Sequence, residues 1–268
     1  MRPARATLSL LLLILLAVPC AAGIHYRAVN KTQDASGRAT NVEVEGWVAG
    51  GNAKVVFRES GNPMFGEGAY LLTKDGGRTL YLVDPEEKTY AVWDLDAMMG
   101  MVGGIMQGMG PLLKVEFSDP KVENLGASDG GALLGLPTRR VRSKTSYSMR
   151  VKVLGMGQST DVVSEQEIWA TTALSDVGLG IWLRSDPPKT GNDQLDKLIA
   201  AEAAKVEGFP LKTVTVSTST QKGRSTTTRS TMEVTKLDTQ VTVAEATFEI
   251  PAGYKETQML VPGQPQRR

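Results

Sequence analysis

The sequence predicts a mainly β, α+β fold: a long curved antiparallel sheet or half-barrel with two helices on its concave side. Three observations lead there. Short runs that alternate apolar and polar residues recur from residue 24 onward, each closed by a turn rich in Gly, Asp or Pro. Only two stretches, 94–111 and 194–207, space their apolar residues as a helix does. No repeat and no shift in composition divides the 268 residues, so 23–254 read as a single domain.

Residues 1–22 stand apart. Arg2 and Arg5 precede an apolar run at 8–18, and Cys20-Ala21-Ala22-Gly23 supplies small residues for cleavage. That is the grammar of a secretory signal peptide. Pro19 sits where a lipoprotein signal favours Gly, Ala or Ser, so a lipid anchor on Cys20 is the weaker reading. Losing Arg2 and Arg5 takes the formal charge from +1 to −1. A chain so balanced has no footprint for nucleic acid. The single cysteine leaves with the leader, and with it disulfide, thiolate-metal and Cys-nucleophile chemistry. Export without disulfides points to a bacterial periplasm.

The mature chain then reads as a meander. Strands are expected at 24–32, 42–48, 53–58, 70–72, 80–83 and 90–93, with turns at Asp34-Ala35-Ser36-Gly37, Gly50-Gly51-Asn52, Asp75-Gly76-Gly77 and Asp84-Pro85-Glu86-Glu87. Turns this short force neighbouring strands antiparallel. Further strands are expected at 113–118, 121–125, 138–142, 147–154 and 162–171, with 126–131 a flexible loop. Residues 211–219 and 226–236 form a Thr- and Ser-rich hairpin suited to a solvated sheet face. Phe248-Glu249-Ile250-Pro251 closes the fold, and 255–268 form a disordered tail.

The two helices differ in kind. At 194–207, Asn192 is the expected cap, Leu195, Leu198, Ile199, Ala203 and Val206 make the apolar stripe, and Gly208 with Pro210 stops it. The other, DLDAMMGMVGGIMQGMGP, gathers Leu95, Met98, Met99, Met101, Val102, Ile105, Met106 and Met109 on one face and its glycines on the other. Each glycine costs roughly 1 kcal/mol relative to Ala, so packing must hold this helix in place. Asp94 or Asp96 would cap it.

Several motifs together resemble an exported bacterial family, DUF4412. They are Tyr81-Leu82-Val83-Asp84 with Lys88-Thr89-Tyr90, Ile168-Trp169-Ala170-Thr171, Gly208-Phe209-Pro210-Leu211-Lys212, Glu233-Val234-Thr235, and Ala246 through Tyr254. That family is in turn distantly similar to the LolA/LolB lipoprotein carriers. The resemblance implies their fold, a half-barrel plugged by helices around a greasy cavity. It carries over no functional residue.

Candidate chemistry is sparse. One histidine, His25, offers a single base for any Ser-His-Asp arrangement, and no GxSxG elbow accompanies a serine. Asp84, Glu86, Glu87, Asp94 and Asp96 cluster in sequence but are explained as turn and cap residues. A chain beginning Gly23-Ile24-His25 could wrap Cu(II) or Ni(II) in a square plane, and the methionine thioethers suit Cu(I). No calcium loop or zinc spacing is present. No later apolar run reaches the length of a membrane span.

The expectation is therefore an exported periplasmic protein, not an enzyme and without a cofactor. It would bind an apolar ligand, a lipid or acyl chain, between sheet and helices, with an envelope lipoprotein as a further partner. The lining residues would be Met98, Met99, Val102, Ile105, Met106 and Met109, joined by Trp47, Trp93, Trp169 or Trp182. Methionine adapts to irregular greasy partners, which is the reason for choosing this helix. The alternatives are an envelope-assembly module with a self-filled core and a copper binder through His25.

Overall fold

The computed structural model describes residues 20–61, 66–94, 97, 113–154, 156–174, 187, 189–205 and 207–257. Among them, thirteen strands join one large open sheet. The first six run as a meander: β1 (Cys20–Gln33), β2 (Ala39–Ala49), β3 (Asn52–Ser60), β4 (Tyr70–Thr73), β5 (Thr79–Asp84) and β6 (Thr89–Asp94). Their turns form as expected. The Asp34 carboxylate accepts from the Ser36 and Arg38 amides at 2.9 and 3.0 Å. Asp84 does the same for Glu86 and Glu87 at 2.9 and 3.1 Å. These side-chain acceptors satisfy amides that a turn leaves free.

The second half returns by longer strands: β7 (Leu113–Phe117), β8 (Lys121–Leu133), β9 (Leu136–Val153), β10 (Met156–Thr171), β11 (Phe209–Gln221) and β12 (Arg224–Ala244). Both β7 and β8 pair with one edge of β9, and β10 pairs with the other. Two expectations change here. Residues 138–142 and 147–153 belong to one strand, β9, and Leu154 lies in the turn after it. Residues 126–131 are part of β8 rather than a flexible loop. Nearly every β8 side chain is exposed, so the strand has no buried face to print an alternating pattern. Its register shifts fall at Asn124/Gly126 and Asp129/Gly131, and both glycines have positive φ.

The two halves meet through the ends of the chain. β1 lies between β2 and β12, so the first long strand is stitched to the last. After β12 a 3-10 turn (Glu245–Phe248) and an extended segment carry the chain across the meander, and β13 (Lys255–Thr257) pairs parallel with β6 at the far edge. The fold thus continues past Tyr254.

Strand alternation gives the sheet two faces. On one, Ile24, Tyr26, Ala28 and Val48 cluster with Ala53, Phe209, Leu211 and Val234. On the opposite one, Val56, Tyr70, Leu72 and Val83 cluster with Val243 and Phe248. They are called here the Ile24 face and the His25 face. Phe248, only 2 % exposed, is the plug that the crossing segment presses onto the His25 face. Gly23 and Gly46 both make close approaches in the sheet centre. A Cβ on Gly46 would sit 2.4 Å from the Tyr26 ring, so the glycine leaves room for that ring.

One helix is described, α1 (Asp193–Ala203). Asn192 caps it as expected, its side chain accepting from the Leu195 amide at 3.0 Å. It ends at Ala203, short of the expected 207. No α1 residue is buried, so its stripe is only half covered. The expected pair of helices on the concave side is therefore not what the described residues show. Gly208 follows at φ +84°, where a Cβ would meet the Thr171 carbonyl oxygen at 2.4 Å. That glycine lets β11 start beside the end of β10.

Candidate functional site

The Met/Gly stretch lies outside the described residues apart from Asp94 and Ala97. There the Asp94 carboxylate accepts from the Ala97 amide at 2.9 Å, the capping contact expected of it. Met98, Met99, Val102, Ile105, Met106 and Met109 are outside the described residues, as is Trp182. What remains of the expected site is the sheet face and α1.

The Ile24 face changes character along its width. Over β1 to β5 it is apolar, with Ile24, Tyr26, Val48, Val55, Phe57, Leu71 and Leu80 all buried. Over β9 to β12 the same face presents hydroxyls and amides. Ser164 receives a hydrogen bond from Ser217 at 3.1 Å, and Gln166 donates to Thr215 at 3.3 Å. Ser230 donates to Asn30 at 2.8 Å where the two halves join. These side chains are half-buried, so their remaining hydrogen-bonding capacity is open to a ligand. Thr145 is fully buried among them, and its Oγ1 has no hydrogen-bond partner among the described residues. α1 comes down beside this polar half. Burial, with the Glu202 charge beside it, holds the Tyr147 phenol above its usual pKa. The Lys197 ammonium donates to Asp119 at 2.9 Å and ties the helix to the segment after β7.

The His25 face carries the charge. At its centre Glu45 is buried, and three side chains converge on its carboxylate. His25 Nε2 donates to Oε1 at 2.8 Å. Arg27 donates to the same oxygen at 3.3 Å, and Arg58 Nε donates to Oε2 at 2.8 Å. Burial alone would raise the Glu45 pKa. The hydrogen bonds from His25, Arg58 and Arg27, with the Arg58 charge, outweigh it and hold the carboxyl below its ordinary value. Trp47 stacks on the His25 ring at 4.9 Å and 17°. His25 is thus seated inside β1, and Gly23 to His25 pair with β2 or β12. A square-planar metal wrap would require these residues to leave the ladder. Among the described residues no cluster of three or more His, Cys, Asp or Glu side chains could hold a metal ion.

Farther along the same face lies a cavity of about 340 Å³. Trp169, Val214, Val216 and Leu125 supply its apolar wall, and Arg142, Lys212, Arg229, Glu165 and Glu167 its charges. Arg140 lies 5.0 Å over the Trp169 ring and donates to Glu167 at 2.6 Å. Trp169 lines this charge-rich cavity on the His25 face, not a space between sheet and helices. Trp47 is committed to His25.

Sequence reasoning missed the Glu45 cluster. Glu43 and Glu45 alternate with valines and look like a solvated edge. Only the register, which sets Arg27 opposite Glu45 and His25 opposite Trp47, brings the cations together. The spacing within β2 carries no trace of that pairing.

Compared with known proteins, residues 155–254 match the family model DUF4412, a domain of unknown function. The match runs from the start of β10 to the crossing segment, so the resemblance holds there. The Tyr81 and Lys88 motifs lie outside it. No curated protein matches the sequence. Among solved structures, the chain is similar to an uncharacterized conserved protein from Thermus thermophilus, at 9 % identity and TM-score 0.35, covering 87 % of this chain and 91 % of that one. It is also similar to the LolA superfamily protein NE2245 from Nitrosomonas europaea, at 11 % identity and TM-score 0.31, covering 85 % and 90 %. A DUF1329 family protein from Desulfovibrio piger gives 9 % and 0.33, covering 85 % and 90 %.

Proposed function

We propose that the protein is an exported, non-enzymatic binder of an amphiphile, held on the Ile24 face. The observation that carries this is the change of chemistry along that face. An acyl chain would take the apolar side of β1 to β5 by displacing the cover that now buries those side chains. A polar head suits the hydroxyls and amide of Ser164, Gln166, Thr215 and Ser217. Burying the chain is worth about 0.8 kcal/mol per methylene. Export rests on the leader-like residues 1–22. His25, the one histidine, is engaged by the Glu45 carboxylate. No described helix is long and apolar enough to cross a membrane.

A second reading is an envelope-assembly module whose core is filled by its own side chains. Phe248, plugging the His25 face, favours it. Native mass spectrometry separates the two. Protein purified from its own host should carry a lipid mass, and stripped protein should take up palmitate stoichiometrically. A bare mass, with no palmitate uptake on titration, would leave the assembly module standing and end the carrier reading.

A further inference from the structure

We infer that the β9–β10 hairpin tip is a docking device for an anionic lipid bilayer. Most large apolar side chains of this sheet are more than half covered, yet the two most exposed stand together at this tip. Leu154 is 68 % exposed and Met156 77 %, with Val153 beside them at 48 %. Leu154 takes a left-handed turn conformation with φ +49°, so the turn spends backbone strain to present a leucine where Gly or Asn is the usual choice. A tip with no other task would be polar, because an exposed apolar turn invites association.

On the β11 side the tip runs past its neighbour, while on the other side β7 pairs with β9 as far as Val153. β10 begins to pair with β11 only at Thr160, opposite Gln221. Met156 to Ser159 therefore extend about 14 Å past the Thr160–Gln221 pair, at roughly 3.4 Å per residue, with the Lys222-Gly223 turn alongside the first part of that length. Behind the apolar end sits a collar of cations. Lys114, Arg150 and Lys152 flank it on β7 and β9, and Lys222 and Arg224 occupy the β11–β12 turn beside it. Glu116, Asp119 and Asp161 are carboxylates near this end; Glu116 is held by Lys114 and Lys152 at 2.7 and 3.4 Å, and Asp119 by Lys197 at 2.9 Å. Among the described residues Lys222 and Arg224 meet no carboxylate. They line a cleft of about 660 Å³ with Gln158, Thr160, Ser219 and Gln221. Hydroxyls, amides and two cations suit a phosphate head group.

An apolar wedge ahead of a basic collar is complementary to one surface in particular. The wedge enters the acyl boundary while each cation near the surface gains from anionic lipid. This inference does not rest on the amphiphile reading, since a bilayer surface rather than a single lipid is the partner.

Flotation with vesicles tests it, using the protein in the form its host exports. Phosphatidylcholine vesicles are compared with vesicles also containing phosphatidylglycerol. The wild type should bind the anionic vesicles at least tenfold better, and added salt should weaken that binding. The pair Leu154→Glu with Met156→Glu should lower it at least tenfold. The pair Lys222→Glu with Arg224→Glu should reduce it to the phosphatidylcholine level. All four side chains project into solvent, and circular dichroism checks that both variants fold. Wild-type protein that floats with neither vesicle, or tip variants that float as the wild type does, would overturn the inference.

Discussion

Replacing Glu45 by Gln tests whether the sheet centre is held by one buried carboxylate. The shape is kept and the charge removed. The Glu45 side chain is 7 % exposed, whereas Arg27 and Arg58 are each 47 % exposed. Removing one partner of a fully buried pair costs about 3–5 kcal/mol. Here water screens the two arginines, so the loss should be nearer about 2 kcal/mol. The sign with pH follows from the lowered carboxyl. A carboxyl whose pKa is lower folded than unfolded stabilises the fold above its unfolded value, near 4.5, and loses that contribution as pH falls through the folded value. Urea unfolding near neutral pH should therefore separate wild type and variant by about 2 kcal/mol. The gap should close on acidification below about 4.5, because the wild type then loses what the variant never had. A gap that stays constant down to acidic pH would show that the amide's packing, and not the charge, sets the difference.

Two further outcomes follow from close packing. Gly208→Ala should cost about 2–4 kcal/mol, from positive φ and the Thr171 carbonyl together, whereas Gly223→Ala, at φ +75° in open space, should cost only about 1–2 kcal/mol. Equal urea midpoints for the two would remove the steric argument at Gly208. Phe248→Ala should cost about 3–5 kcal/mol and speed amide exchange at Thr89 to Ala91, where β13 is seated. Unchanged exchange there would show that β13 holds to the edge without the plug.

The elements that the sequence foretells are those with a local cause. The meander turns are written in Asp34, Asp75 and Asp84, whose carboxylates bind amides two to four residues on. Asn192 starts α1 in the same way, whereas the helix ends at Ala203, five residues before Gly208. What the sequence hides has a distant cause. β1 pairs with β12 across most of the chain, with bulges at Gly23/His25 and Arg27/Ala28 that no local pattern announces. β8 disappears because both its faces are wet. The stripe of α1 suggests a buried helix, yet spacing reports only which residues share a face, not whether anything lies against it. The Glu45 cluster fails for the same reason: its members come from three strands, and register alone assembles them.

The route of the last residues also orders the life of the chain. The first strand spends synthesis without one of its two neighbours, because β12 is the last long strand made. The Tyr70–Leu72 patch likewise waits for Phe248. Until then the unfinished chain shows an open strand edge and a bare aromatic patch, the two features most prone to pairing with another molecule. Non-local pairings of this kind close slowly. A chain cut before Phe248 would leave the Tyr70 and Leu72 side chains of that cluster without their cover.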